Sequence, residues 1–246
     1  MKKQKLFRFF CMAVSSIPYA IMVLCFYPKY KLSSKNVTVE KYRFAQRIMD
    51  YYRRRSRTIT FTYGAENLPK NEGYVMYSNH QGKYDAFGIL VNHEQPCAVL
   101  MEAKQSRAII ITQLIELLEA KRLDFTNPKK QLEVLKEISC EVKEGRRYLI
   151  FPEGGYTDNH NTLQKFNSGC FMCSIESKTP IVPVCIIDSY KSMNVNNLKP
   201  CTTQVHFLKP IPYSEYEGMR KKELAELVKS RIQEKLDEEL GKEGRQ

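Results

Sequence analysis

In the stretch Ser78 to Phe87, SNHQGKYDAF, a histidine and an aspartate stand five positions apart with a glycine between them. That spacing suits general-base chemistry. An imidazole accepts a proton near neutral pH. A carboxylate on its other nitrogen fixes the tautomer and stabilises the imidazolium once it forms. His80 is therefore the candidate base and Asp85 its orienting partner. No serine or cysteine nucleophile is needed when the attacking group is a hydroxyl of the substrate. Asn79 either fixes the turn or donates to the site, and it is counted among the candidate substrate-binding residues. The same residues also describe an ordinary Asn-His turn with Asp85 capping the next helix.

A second stretch carries chemistry of a different kind. LIFPEGG, Leu149 to Gly155, reads as a strand that runs into a proline, an acid and two glycines. Gly154 and Gly155 allow close backbone approach and leave N–H groups for a phosphate or an oxyanion. Glu153 can accept from a polyol or order its own loop. A plain strand-exit turn shares this pattern.

These residues need elements to hold them, and the chain supplies an alternating series. TITFTYG, YVMYSN, CAVLM, RRYLIF, PIVPVCII and TQVHFLKPI read as strands. Between them, DAFGILVNH, SRAIIITQLIELLE, NPKKQLEVLKEISCEVKEG and SGCFMCSIESK read as helices, and MRKKELAELVKSRIQEKLDEEL is an amphipathic tail. Alternation of this kind predicts an α/β domain with a largely parallel mixed sheet flanked by helices. In such sheets, sites gather at the carboxyl ends of strands, where both stretches lie.

The chain has 246 residues with 43% hydrophobic and 27% charged residues and a net charge of +12. It is long enough for one sizeable core, and its charge favours an anionic partner. Nucleic acid is not favoured, because no recognition helix or interleaved basic-aromatic motif accompanies the charge. Eight cysteines in mostly apolar settings read as reduced thiols. Cys170 and Cys173 have no second pair at zinc spacing, so no metal site is expected.

From Phe9 to Tyr27 the chain carries no charge, close to the length that crosses a bilayer. A signal peptide or a buried core helix would also be apolar, but no small-residue cleavage pattern follows. Lys2, Lys3, Lys5 and Arg8 precede the run, and Lys29, Lys31 and Lys35 follow it. Charge on both flanks leaves spanning and one-leaflet insertion open, with Pro18 as a possible break. The helix-compatible segment 37–52 and the basic run RRRSR come next, the run being either a solvated face or a headgroup contact. Residues 1–57 thus read as a helical membrane anchor and 58–246 as the α/β domain.

Taken in order, Asn79-His80…Asp85, Phe151-Pro152-Glu153-Gly154 and Ile181-Val182-Pro183-Val184 resemble the signatures of the 1-acyl-sn-glycerol-3-phosphate acyltransferase family. The resemblance extends from about residue 57 to about residue 210. It implies the glycerolipid acyltransferase fold and transfer of a fatty acyl group to the sn-2 hydroxyl of lysophosphatidic acid, giving phosphatidic acid. The donor is acyl-CoA or acyl-acyl carrier protein as co-substrate, and no metal or cofactor is implied. His80 would deprotonate the hydroxyl, Asp85 would orient His80, and backbone N–H groups would stabilise the oxyanion. The implied location is a membrane, with the catalytic domain on its cytoplasmic face.

Two departures bear on the acceptor. The family's FPEGTR reads FPEGGY here, and that arginine is associated with the acceptor phosphate. Tyr156 can hydrogen-bond a phosphate but supplies no charge. The family's Ile-Asp-Arg-like step reads Leu123-Asp124-Phe125, which leaves Arg122 as the candidate phosphate ligand and Lys121 as the alternative, unless both are simply solvated. Another lysophospholipid or an aminolipid therefore stays open as acceptor. A thioester hydrolase, with water in the hydroxyl's place, would use similar residues.

Overall fold

A computed structural model describes residues 7–32, 38–107 and 110–243. Lys2, Lys3, Lys5 and Lys35 lie outside the described residues. In chain order the elements are α1 (Phe7–Ser15), α2 (Ile17–Leu32), α3 (Thr38–Arg55), β1 (Thr58–Tyr63), β2 (Tyr74–Ser78) and α4 (Asp85–Val91). Then come β3 (Ala98–Glu102), α5 (Ile111–Leu117), β4 (Lys121–Leu123), α6 (Pro128–Lys143), β5 (Arg147–Ile150) and α7 (Met172–Ser177). The last are β6 (Ile181–Ile187), α8 (Tyr190–Met193), β7 (Cys201–Phe207), α9 (Tyr213–Tyr216) and α10 (Lys221–Glu243).

The strands explain the layering. Every residue of β2 and β6 is buried, as expected of strands covered on both faces. Side chains alternate across the sheet. Tyr74, Met76, Val182, Val184 and Ile186 join one core, with α3, α4 and α5 over them. Val75, Tyr77, Ile181, Cys185 and Ile187 join a second core under α6, α7 and α10. The sheet order is β1-β7-β6-β2-β5-β3-β4. All neighbours pair in parallel except β6 and β7. This is the largely parallel mixed sheet that the alternation of elements predicts. Pro183 is tolerated inside β6 because it faces β7 just beyond the last pair, Val184 with Phe207, where Leu208 N donates to its carbonyl at 2.9 Å.

Helix ends follow local chemistry. Asn127 caps α6 by accepting from Lys130 N at 3.1 Å, Pro128 fills its first turn, and Gly145, at φ 98°, lets the chain leave it. The segment KRL, read by sequence only as a basic motif, is the edge strand β4. The expected helix 106–119 is shorter: it begins at Ile111, after a separate 3₁₀ turn at Gln105–Arg107, and residues 108 and 109 lie outside the description.

At the N-terminus the apolar run is not one helix. Among the described residues no single helix is long and apolar enough to cross a membrane; α1 and α2 are bent by 59°. The break is at Ser16, and Pro18 stands in the first turn of α2, where its missing N–H costs nothing. Phe7, Phe10, Val14, Ile17 and Ile21 form an exposed apolar stripe at spacings of three and four. The opposite face docks on the domain: Tyr19 stacks on Tyr51, Tyr30 on Phe44, and the Tyr27 hydroxyl bonds Glu116. Tyr42, Ala45, Ile48 and Met49 of α3 belong to the same core as the sheet.

Arg8 does not act as a solvated flank. It is 2% exposed. Its guanidinium donates to the carbonyls of Asn197 (2.8 Å), Lys191 (3.0 Å), Ser192 (3.3 Å) and Lys199. The basic run RRRSR is likewise partly spent inside the protein. Arg53 and Arg54 pair with Asp50 at 2.6 and 2.7 Å, Arg55 donates to Ser15 O, and Arg57 to Leu198 O.

Two stability predictions follow from these contacts. Arg8→Met leaves the buried carbonyls of Ser56 and Ser192 without this donor and should cost roughly 2–4 kcal/mol. The check is proteolysis of the segment 7–32, which should accelerate well ahead of cleavage in the sheet. His93 is buried between Tyr74 Oη (2.7 Å) and Gln95 O (2.7 Å), and burial pushes its pKa down to about 4. The unfolded chain then binds the extra proton between pH 6.5 and about 4. Stability is complete above pH 6.5 and falls as pH drops toward 4, by up to about 3 kcal/mol. Melting temperature measured across that range should show the slope, and His93→Gln should reduce it to the part contributed by His206, whose pKa burial also lowers to about 4.

Candidate active site

Strand register brings the two stretches together. β2 pairs in parallel with β5, Tyr77 opposite Ile150, so both chains leave the sheet at the same edge. Asn79-His80 thereby emerges beside Phe151-Pro152-Glu153. On its other side β2 pairs with β6, Ser78 opposite Val184. The Asn79 side chain then extends that ladder: its Nδ2 donates to Ile186 O at 2.9 Å and its Oδ1 accepts from Ile186 N at 2.8 Å. Of the two uses open to Asn79, the structure shows the turn-fixing one. Its amide is buried, with one N–H and the carbonyl oxygen both engaged by Ile186.

His80 Nδ1 and Asp85 Oδ2 are 2.6 Å apart. An ionised carboxylate only accepts, so Nδ1 carries the proton and the Nε2 lone pair is left free. The imidazole is 18% exposed and the carboxylate not at all. Among the described residues Nε2 has no protein partner. Asp85 is itself fixed. Its Oδ2 also accepts from Gln81 N (2.5 Å) and Gly82 N (2.9 Å), and its Oδ1 accepts from Ser189 Oγ (2.6 Å). The ring stacks on Phe151, centroids 4.4 Å apart, and meets Tyr156 edge-on at 4.8 Å.

Glu153 orders the second loop. Its Oε1 accepts from His80 N at 3.2 Å, and its Oε2 from Gln164 Nε2 at 2.7 Å. Burial raises the pKa of its carboxyl, against the lowering effect of those donors. Gly154 has φ 73°, and its N–H closes the turn on Phe151 O at 3.1 Å. A Cβ there would lie 3.0 Å from Asn167 Nδ2, so the turn needs glycine. Gly155 follows, and its carbonyl accepts from Gln164 Nε2 at 2.9 Å.

Arg122 is not brought beside His80. It lies on β4, the third strand from β2, and the two strands are on the order of 14 Å apart by strand spacing. Its Nε donates to Ser106 Oγ at 3.0 Å. Lys121, the alternative, is held by Glu137 and Glu141 at 2.5 and 2.7 Å. Phe125 instead reaches the glycine turn, 3.9 Å from where a Gly154 Cβ would stand.

The site also holds residues that sequence reasoning missed. Ser189 follows β6 and grips Asp85, with no sequence signal beyond its place after a strand. Asn159 Nδ2 donates to His80 O at 3.1 Å from the loop after FPEGG. Lys83 lies inside the His-Asp stretch itself, and its Nζ is 2.8 Å from Tyr156 Oη. Burial pushes the Cys173 and Cys185 thiols up to about 12, which disfavours the thiolate at either one. Among the described residues no cluster of His, Cys, Asp and Glu could hold a metal ion.

The family model for Acyltransferase matches residues 60–187, which span both loops and β6. The chain belongs to that family. It is 30% identical over 172 residues to the 1-acyl-sn-glycerol-3-phosphate acyltransferase of Salmonella typhimurium, covering 69% of each chain. The enzyme of that name from Escherichia coli is 30% identical over 67% of each chain. The human 1-acyl-sn-glycerol-3-phosphate acyltransferase alpha is 27% identical over 61% of this chain and 53% of its own. The fold matches the crystal structure of the 1-acyl-sn-glycerophosphate (LPA) acyltransferase PlsC from Thermotoga maritima, with a TM-score of 0.69 over 94% of each chain at 19% identity.

The acyltransferase site makes a direct prediction. His80→Ala removes the base and should lower transfer by about 10²–10⁴-fold without loss of fold, since the ring packs at the surface of the site. Asp85→Asn should cost a comparable factor, because an amide can hold the wrong imidazole tautomer. Single-turnover rates together with circular dichroism test both; wild-type rates in His80→Ala would remove His80 from the chemistry.

Proposed function

We propose that this chain transfers a fatty acyl group from acyl-CoA or acyl-acyl carrier protein to the sn-2 hydroxyl of 1-acylglycerol-3-phosphate, giving phosphatidic acid. The observation that carries this reading is the 2.6 Å His80–Asp85 contact at the strand-end edge, with Nε2 unpartnered. Nε2 takes the hydroxyl proton as the oxygen attacks the thioester carbonyl. The C–O bond forms, the C–S bond breaks, and the thiolate takes the proton from the imidazolium. No cofactor enters this balance. Gly155 N, beside Glu153, makes no hydrogen bond among the described residues and is the proposed oxyanion donor.

The relatives named above are 1-acyl-sn-glycerol-3-phosphate acyltransferases, which supports a glycerolipid phosphate as acceptor. The exposed stripe on α1 and α2 supports attachment to the membrane that holds this lipid. A bent pair docked by Arg8 suits insertion in one leaflet, its apolar face in acyl chains. The net charge of +12 suits an anionic, cytoplasmic leaflet.

The test is purified protein with both donor types and a panel of lysophosphatidic acid, other lysophospholipids and an aminolipid, read by product mass. Phosphatidic acid formed only when lysophosphatidic acid is supplied is the expected result. Product from a different acceptor alone would replace the acceptor. Free fatty acid released without any acceptor would instead identify a thioester hydrolase.

A further inference from the structure

The acceptor proposed above bears a phosphate, yet Arg122 and Lys121 stand away from His80. Lys83 stands closer. Lys83 is three residues from His80, and its Nζ donates to Tyr156 Oη at 2.8 Å. Tyr156 in turn meets the His80 ring at 4.8 Å. Among the described residues Lys83 pairs with no carboxylate. Its other neighbours are aromatic: Nζ lies 5.6 Å from the centre of the Phe9 ring and 5.5 Å from that of Tyr156. Its backbone is pinned by Lys83 N donating to Asn194 Oδ1 at 3.3 Å. A cation in this setting is held in place without being neutralised.

We infer that Lys83, with the Tyr156 hydroxyl beside it, receives the phosphate of the acceptor headgroup. In 1-acylglycerol-3-phosphate four bonds separate the reacting oxygen from phosphorus, so the two lie within about 5 Å of each other. A phosphate oxygen on Lys83 and Tyr156 therefore leaves the sn-2 hydroxyl within reach of His80 Nε2. An ammonium and a phenol together supply a charge and a directed donor. The phosphates of coenzyme A share this chemistry, but a long pantetheine arm separates them from the thioester. Position 156, where the family's signature has arginine, thus keeps its neighbourhood cationic through a lysine on the other loop.

The inference rests on the proposed reaction only for which molecule brings the phosphate. Steady-state kinetics on Lys83→Met should raise KM for lysophosphatidic acid about tenfold or more, with kcat within about threefold. Lys83→Arg should restore most of the affinity, and Arg122→Ala should cost less than Lys83→Met. The rate with 1-acylglycerol, which lacks the phosphate, and KM for acyl-CoA should not move. An unchanged acceptor KM, or an equal loss with 1-acylglycerol, would overturn the inference. A rise confined to acyl-CoA would assign Lys83 to the donor and overturn it equally. Calorimetric binding of lysophosphatidic acid in detergent, His80→Ala against His80→Ala/Lys83→Met, reads the same contact without turnover. Failure of the wild type to acylate this lipid, with binding still lost in the double variant, would sink the reaction and leave the phosphate site standing.

Discussion

The Asp85 carboxylate is the point on which the site depends. A fully buried carboxylate is costly unless donors surround it. Here the donors come from three places: the backbone of Gln81 and Gly82 after β2, the Ser189 hydroxyl after β6, and the imidazole of His80. Burying Asp85 therefore forces the two strand-end loops to one arrangement. The same constraint gives His80 its tautomer and leaves Nε2 facing outward. Glu153, accepting from His80 N, adds the third loop to this cluster. Structure and chemistry share one set of hydrogen bonds, so a change that loosens the loops also loosens the base.

Much of this was legible in the sequence. The apolar runs of β2 and β6 mark them as strands, and the 3.6-residue pattern of α6 and α10 marks the helices that cover them. His80 and Asp85 were legible because their types and spacing fit a turn between a strand and a helix. The rest depended on long-range geometry. Ser189 is 104 residues from Asp85, and nothing local marks it. Asn79 is open to either use in the sequence, and its amide is drawn into the ladder by Ile186. Arg122 was chosen as the nearest cation in sequence, whereas the sheet order sends it to the edge strand. Lys83 was passed over because its importance comes from Tyr156, a residue on a different loop.

The N-terminal segment shows the same difference between pattern and packing. Its hydropathy is that of a bilayer-crossing helix, and its flanking charges looked like interfacial anchors. Arg8 is instead threaded into carbonyls at the ends of α3 and α8 and in the loop before β7. A guanidinium suits that position because its donors fan out in a plane and can satisfy several carbonyls at once. Its charge is compensated by carbonyl dipoles rather than by a carboxylate. The cost of burying it is offset only while α1 stays docked. The exposed stripe and the catalytic edge are consequently held at a fixed relation, and Phe9 of α1 reaches Lys83 beside the site.

That relation bears on how a base and a cation can work side by side. In the proposed reaction, positive charge develops on the imidazole as it takes the hydroxyl proton, and a cation in contact with the ring would oppose it. Asp85 offsets that charge from the buried side. On the open side, Lys83 Nζ meets Tyr156 at its hydroxyl, and the Tyr156 ring meets His80 edge-on. A phosphate bound there would place negative charge near the forming imidazolium and neutralise the lysine at the same moment. In the proposed reaction the two loops then divide the labour: one residue type takes the proton and another holds the headgroup.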